Sequence, residues 1–371
     1  MDGMPPAEVE ASFTPTRDGN DRRRTSDRRS VLSHGGVRRP ERRRNDRRLS
    51  GERRLVLLKH QQDDVQRYYE RLSRAVSESA WDTALHAGHA LVRSLTYVPD
   101  EGRRRAGIRL RRALPRKAIE GIVGIAIRDT FEAPRAAEVL RWIGIDAAEI
   151  MVHTVMETEG VGARRVLYDI LAQMPEAFPL VLAFLRDGTA AQVTHAADLL
   201  GRLGNADAVE PLKRRVSSAD ATVRAAALNA LAEFPPQHTS EVLRQALASP
   251  SAETRASAAS AIGRSRSGAF AMPLAAALEN EHHAGASRAA IHALGALPTS
   301  DATSALLRVA LTRRSFMRGG FTTDQRVEAV RALGISSAPG APQALERIAS
   351  EGDDVVARVA RELMGRRKVV G

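Results

Sequence analysis

One pattern of small and apolar residues recurs from about residue 160 to the C-terminus of this chain. The small residue that closes each copy serves as a register mark, and the marks are Ala172, Gly201, Ala232, Gly263, Gly295, Gly334 and Gly365. Successive marks are separated by 29, 31, 31, 32, 39 and 31 residues. Units of this length in series are typical of solenoids, in which each unit packs on its neighbours along the chain. The pattern therefore predicts a stack of similar units.

The apolar positions of each unit keep a fixed distance from the mark. In the third copy they are Ala227, Ala230 and Leu231, which lie five, two and one residues before Ala232. These offsets place three side chains on one stripe of a helix, as expected for a buried helical face. Alanine dominates two of the three positions, which lets the backbones of neighbouring helices approach closely. Each unit is therefore predicted to open with an amphipathic helix.

A short polar break follows each mark and leads into a second apolar helix, for example at 208–216 or 240–247. Two helices and two turns in about 31 residues make one helical hairpin. The predicted fold class is all-α: an α-solenoid of helical hairpins over residues 131–371, with a disordered basic tail at 1–54. Helices at 62–79, 81–97, 101–114 and 116–130 are predicted to form a cap region at 55–130, because solenoids need atypical terminal units.

The first helices resemble HEAT repeats of the short bacterial kind. They are similar to the HEAT-like repeats of phycobilisome lyases, whose first helix reads ValArg-x-x-Ala-x-x-AlaLeuGly. The matching positions are Val223, Arg224, Ala227, Ala230 and Leu231, then Arg255, Ala258, Ala261, Ile262 and Gly263, then Arg326, Ala329, Ala332, Leu333 and Gly334. The chain departs from this pattern at Val193, Ser287 and Ala357, which replace the arginine. The resemblance implies an armadillo-type solenoid.

The resemblance also implies a structural role for Arg224, Arg255 and Arg326. In HEAT arrays this arginine packs its stem between units and bonds to acids or carbonyls near the turn. Asp220 and Asp324 are expected to act as helix N-caps or as partners of these arginines.

Basic charge is confined to two stretches. Residues 1–54 hold 15 Arg against 9 acids, residues 100–117 hold 8 basic and 2 acidic side chains, and residues 118–371 hold 28 of each. Too few apolar residues lie in 1–54 to support ordered structure. The two stretches leave open an alternative function, association with nucleic acid, because each phosphate contact releases counterions. Its candidate residues are Arg103, Arg104, Arg105, Arg109, Arg111 and Arg112.

Residue patterns that carry enzyme chemistry are missing from the sequence. The chain has no Cys, and its one helix-spaced His pair, His86 and His89, has no third ligand in register. No HisGlu dipeptide occurs, whereas the iron-holding HEAT family of deoxyhypusine hydroxylase uses such pairs. Gly-rich phosphate loops and nucleophile elbows are also missing. We therefore expect that the protein has no catalytic residue, cofactor or metal and that it is not an enzyme.

A secretory signal and a membrane-length apolar run are also missing from the sequence. Together with the absence of Cys, which fits a reducing compartment, this predicts a cytoplasmic protein.

The sequence predicts a non-enzymatic scaffold that binds a protein or peptide partner on a concave surface formed by the second helices. The candidate contacts on those helices are Lys213, Arg214, Arg215 and Arg244. The spacing of 39 locates an insertion at 313–322, and insertions in repeat arrays often lie on the binding face. Its candidates are Arg313, Arg314, Phe316, Met317, Arg318 and Phe321, unless the Phe side chains tuck back onto adjacent helices. A lyase-like or chaperone accessory protein is a further alternative.

Overall fold

The structure is a computed structural model that describes residues 64–95, 100–313 and 320–370. The predicted tail at 1–54 lies outside the described residues. So do four candidate residues of the insertion, Arg314, Phe316, Met317 and Arg318, and the side chain of Arg103.

Four helices precede the repeats and agree with the predicted helices. They are α1 (64–77), α2 (Trp81–Leu95), α3 (Asp100–Ala113) and α4 (Arg116–Arg128). Helix α3 ends before Pro115, because proline cannot continue a helix, and Pro115 occupies the N-cap position of α4. The next hairpin, α5 (Ala133–Ile143) and α6 (Ile145–Glu157), turns at Gly144, whose φ of 79° favours glycine.

The repeats follow as hairpins. Their first helices are α7 (Val161–Leu171), α9 (Ala190–Leu203), α11 (Ala221–Ala232), α13 (Ala252–Ser265), α15 (Ala284–Ala296), α17 (Thr323–Ile335) and α19 (Asp354–Val370). Their second helices are α8 (Ala177–Asp187), α10 (Val209–Arg215), α12 (Pro236–Leu247), α14 (Ala271–Glu279), α16 (Ser300–Leu311) and α18 (Ala341–Glu351). Short 3₁₀ turns at Ala206–Ala208 and Gly268–Phe270 lead into α10 and α14. The predicted all-α solenoid is confirmed.

Successive first helices approach each other at the register marks. An ideal Cβ built on Gly263 would lie 2.9 Å from Cα of Ala293, and one built on Gly201 would lie 3.0 Å from Cα of Ala230. Both alanines occupy the position two residues before the next mark. The space at each mark is therefore already filled by the following first helix, as the small residues of the pattern predict.

The hydrophobic core runs through the array in two clusters that meet in α11. One cluster extends from Tyr69 to Phe234, so the N-terminal helices and the first repeats share a core. The other extends from Leu228 to Ala360. Since α11 contributes Leu231 to the first cluster and Leu228 to the second, its two sides join the halves of the core.

Replacing Gly263 with Ala should destabilise the fold, although alanine is the better helix former. We expect a loss of about 1–3 kcal/mol in the free energy of unfolding, because the new methyl group overpacks the contact with Ala293. Gly124, within α4, is the matched control, since a Cβ there meets nothing within 4 Å. Gly124→Ala should stabilise by about 0.5–1 kcal/mol. Urea unfolding of both variants measures the difference, and equal shifts would contradict the packing described above.

Candidate functional site

Arg224 and Arg255 bond to the turn that precedes their own helix, and Arg326 bonds to the carbonyl oxygen of Ala310 in the last turn of α16. Nη1 of Arg255 donates to the carbonyl oxygens of Ser249 (2.8 Å) and Pro250 (3.0 Å). Nη1 of Arg224 does the same to Ser218 (2.9 Å) and Ala219 (2.8 Å). The repeated geometry fixes the turn to the helix and satisfies carbonyls that would otherwise lack partners.

The same arginines also reach an acid of the next unit. Arg255 donates from Nε and Nη2 to both oxygens of Glu281, at 2.6 and 2.9 Å, and Nη1 of Arg326 donates to Asp353 at 2.6 Å. These hydrogen bonds hold the pKa of Glu281 and of Asp353 below the ordinary carboxyl value. Arg224 lies 3.6 Å from Glu253. The predicted structural role of these arginines is confirmed.

Arg164 belongs to the same series of recurring arginines, although it was not among the predicted positions. It lies eight residues before Ala172, as Arg224 does before Ala232, and Nη1 donates to the carbonyls of Thr158 (2.7 Å) and Glu159 (2.8 Å). The fixed distance from the mark is the signal that would have identified it.

The two predicted helix caps have different outcomes. Asp220 accepts hydrogen bonds from the backbone N–H groups of Thr222 and Val223 and is the N-cap of α11. Asp324 is not a cap: Thr322 caps α17 and forms a capping box with Gln325. A Thr followed three residues later by Gln satisfies two backbone donors reciprocally, which leaves no capping role for Asp324.

A polar cavity of about 530 Å³ opens between consecutive first helices at the N-terminal side of the repeats. It is lined by Val161, Arg164, Arg165, Tyr168, Asp198, Arg202, Asn229, Ala230, Glu233 and Arg264, from α7, α9, α11 and α13. We call it the arginine cavity. Most of its polar residues lie seven or three residues before a mark or one residue after it. We call the surface formed by these three positions the first-helix face.

The cations of the arginine cavity surround a partly buried carboxylate and a buried phenol. Burial raises the pKa of Asp198, while Arg264, Arg164 and Arg202 act in the opposite direction. Burial also raises the pKa of Tyr168, whose hydroxyl donates to the carbonyl oxygen of His195 at 3.2 Å. The Arg202 guanidinium lies 5.3 Å from the centroid of the Tyr168 ring.

A second cavity adjoins the first along the same face. It measures about 470 Å³, lies between α13 and α15, and shares Arg264 with the arginine cavity. Arg288, Ala289 and His292 line its far side. Nε2 of His292 lies 2.5 Å from Oε1 of Glu328 on α17. The first-helix face therefore presents two adjacent openings along successive units.

The candidate residues on the second helices are not brought together into one site. Lys213 pairs with Glu210 at 2.7 Å, and Nη2 of Arg215 donates to the carbonyl oxygen of Arg186 at 2.6 Å. Arg214 is exposed on α10. Arg244 lines a separate cavity of about 580 Å³ beside α14, and its Nη2 bonds to Glu241 at 2.8 Å. Most of these cations thus have partners within the chain.

Both described candidates of the insertion also have structural contacts. Phe321 is only 8% exposed and packs in the second core cluster, which is the tucked-back arrangement that the sequence left open as the alternative to an apolar anchor. A β-bridge pairs Arg313 with Phe321 and so joins the two ends of the insertion to each other. Nε of Arg313 lies 2.9 Å from Asp353, the acid that also holds Arg326.

The described basic residues of α3 lie on its exposed side, opposite the buried Ala106 and Leu110. Arg109 stacks on the ring of Tyr69 at 4.2 Å and donates to Oε1 of Gln66 at 3.3 Å. Arg104, Arg105, Arg111 and Arg112 are exposed. The stacking gives Arg109 a structural role, and phosphate contact by these residues remains a prediction.

Within the described residues, no group of three His, Cys, Asp or Glu side chains could hold a metal ion. Of the predicted His pair, His89 places Nε2 3.1 Å from Oε2 of Glu138. Every helix in the described part of the chain is too short or too polar to cross a membrane.

Hairpins of about 31 residues stacked in sequence order define an α-solenoid protein. Residues 178–320 contain HEAT repeats, since the family model for HEAT repeats matches residues 178–263 and 240–320. These matches extend from α8 past the end of α16 and confirm the predicted type of repeat. No curated protein matches the sequence significantly.

Solved structures similar to the chain include two with sequence identities of 20%. The match with human deoxyhypusine hydroxylase in complex with glycerol covers 68% of this chain and 97% of that chain, with a TM-score of 0.28. The match with the complex of CpcE and CpcF of phycocyanin lyase from Nostoc sp. covers 59% of this chain and 94% of that chain, with a TM-score of 0.31. Karyopherin Kap121p bound to the extreme C-terminus of the phosphatase Cdc14p is 10% identical; the match covers 81% of this chain and 42% of that chain, with a TM-score of 0.42. These scores are too low to transfer a property of those proteins to this chain.

Arg326→Gln should lower the free energy of unfolding by about 2–3 kcal/mol, because Arg326 is 3% exposed and its loss removes the guanidinium from Asp353 and from the buried carbonyl of Ala310. Arg331→Gln on the same helix is the control. The Arg331 side chain is 65% exposed, and surface substitutions of this kind cost less than about 0.5 kcal/mol. Urea unfolding compares the two variants, and a similar cost at both positions would contradict the linking role.

The Arg255–Glu281 pair should make stability depend on pH. Because the folded-state pKa of Glu281 is lowered, its contribution is fully present above the ordinary Glu pKa of about 4.3 and is lost as the pH falls through the folded value. The Glu281→Gln variant should therefore have a lower free energy of unfolding than the wild type near pH 7, and this difference should become smaller toward pH 3. Urea unfolding at several pH values measures the difference. A difference that does not change with pH would refute the role of the Arg255–Glu281 pair.

Proposed function

We propose that this chain is a non-enzymatic scaffold that binds a protein or peptide partner along its first-helix face. HEAT solenoids are typical of such scaffolds, because stacked units present an extended surface that can make many contacts. The observation that carries the proposal is the pair of adjoining cavities that share Arg264. The sequence predicts a partner on a concave surface formed by the second helices, whereas the position of these cavities favours the first helices.

The first helices combine fixed packing positions with variable surface positions. One residue before the mark, every unit carries Leu, Ile or Met. Seven residues before the mark, the units differ, for example Arg165, Thr194, Ala225 and Arg288. Since the fold places no common demand on this second set, these residues can be specific for a partner while the backbone stays the same.

The contacts of the second-helix cations support this choice. Lys213, Arg215 and Arg244 hold partners on their own or neighbouring helices, so binding through them would first break those contacts. Arg165 and Arg264 on the first-helix face are exposed and form no ion pair within the described residues. Their charges can therefore interact with a partner at a lower cost.

A lyase-like or chaperone accessory protein is the second candidate, because it needs a pocket with converging polar groups. The arginine cavity has this property, and a small anionic ligand would fit its volume. Nucleic-acid association has less support in the described residues, since Arg109 is stacked on Tyr69.

A library of random peptides displayed on phage and selected on the full chain tests the proposal. Selected peptides should lose at least about tenfold in affinity on Arg264→Glu, which reverses a charge shared by both cavities. Arg244→Glu on a second helix should change affinity by less than about twofold. Failure to select any peptide that depends on the first-helix face would refute the scaffold proposal. Binding of inorganic phosphate that is measured by calorimetry and lost on Arg264→Glu, without peptide binding, would instead favour the accessory protein.

A further inference from the structure

The arginine cavity offers both positive charge and an apolar contact. Its lining contains four arginines and two carboxylates, Asp198 and Glu233, so two positive charges are in excess. Val161, at the start of α7, is 73% exposed and lines the same cavity. The cavity therefore combines an apolar contact with an excess of positive charge.

Two of the four arginines are committed to the fold. Arg164 donates to the carbonyls of the turn before α7, and Arg202 covers the Tyr168 ring and lies 3.6 Å from Asp169. Arg165 and Arg264 are exposed on α7 and α13 and have no ion-pair partner within the described residues. They are therefore the cations that a ligand can bind without breaking existing contacts.

Arginine is well suited to carboxylates. Its planar guanidinium donates two parallel hydrogen bonds to the two oxygens of one carboxylate. The protein uses this geometry itself, since Arg255 binds both oxygens of Glu281. A partner's Asp or Glu side chains could bind Arg165 and Arg264 in the same way.

We propose that the arginine cavity binds an acidic segment of the partner, with carboxylates on Arg165 and Arg264 and an apolar side chain on Val161. The inference rests on the proposed scaffold function and names the chemistry of its partner. The excess of positive charge in the lining matches such a segment, and the exposed valine matches an apolar residue within it.

The lining favours an acidic peptide over a nucleic acid. Asp198 and Glu233 would repel a backbone with a phosphate at every nucleotide, whereas a peptide can place a neutral residue beside them. Tyr168, the one aromatic ring of the lining, is buried and covered by Arg202, so it offers no surface for a base to stack on. Residues 1–54 carry a net positive charge and are therefore not a suitable occupant.

Fluorescence anisotropy with two labelled peptides tests the inference on the full chain. One peptide alternates Glu and Leu, and the matched peptide carries Gln in place of Glu. The Glu peptide should bind at least about tenfold more tightly than the Gln peptide. Added salt should weaken the binding of the Glu peptide. Arg165→Gln and Arg264→Gln should each weaken it about threefold to tenfold, and Arg244→Gln should change it by less than about twofold.

Glu233→Gln provides a variant whose expected effect is a gain. Removing this exposed carboxylate from the lining should strengthen binding of the Glu peptide about twofold to threefold, a result that misfolding does not produce. Equal affinity for the two peptides would overturn the inference. So would single-stranded DNA that displaces the Glu peptide and loses affinity in the same variants.

The two proposals can fail separately. If library-selected peptides depend on the first-helix face but carry no excess of Asp and Glu, the acidic chemistry is wrong and the scaffold function stands. If no selected peptide depends on that face, the scaffold function itself is wrong.

Discussion

The close approach of successive first helices is the constraint on which the rest of this structure depends. At Gly201 and Gly263 the following helix comes so near that even a methyl group would overlap with its backbone. Small residues at each contact allow helices to pack at short range and bury alanine and leucine with few voids. A long series of such contacts replaces the single central core of a globular domain.

Arginines supply the second link between units, and they act where the packing contacts do not reach. Arg255 and Arg326 bind a turn or a carbonyl near their own helix and an acid of the next unit. Each therefore fixes a turn and also connects two hairpins. Where the arginine is missing, other groups are used: Ser287 accepts a hydrogen bond from Gln325 at 2.7 Å. The substitutions Val193, Ser287 and Ala357 show that the stack tolerates losing this link in some units.

The sequence could predict the helices and their register because both follow from local periodicity. The same register shows that Arg224 and Arg255 are structural, and the bonds they form agree with it. The candidate site was harder to predict, because a cavity arises where side chains from four helices converge. Arg165, Asp198, Asn229 and Arg264 lie about 30 residues apart in sequence and meet only after the units have stacked. Two interpretations of Phe321 stayed open because sequence alone does not show which way a loop side chain turns.

Separate positions on each first helix thus serve stability and recognition. Most residues at the mark and one, two or five before it pack within the array. Most polar residues of the openings lie seven or three residues before a mark or one residue after it. Such a division lets the surface of a repeat array change without loss of the fold, which is the physical basis for proposing a scaffold.

A cross-link between first helices tests the central claim directly, because the chain has no Cys of its own. Asp169 on α7 and Arg202 on α9 are exposed, and Nη1 of Arg202 lies 3.6 Å from Oδ1 of Asp169. Cysteines at these two positions should be joined by a short bismaleimide, detected by mass spectrometry. Cysteines at Asp169 and Glu233, the position equivalent to Arg202 one unit further along, should not be joined. Failure of the first pair to cross-link, or equal cross-linking of both pairs, would contradict the stacking of first helices in sequence order.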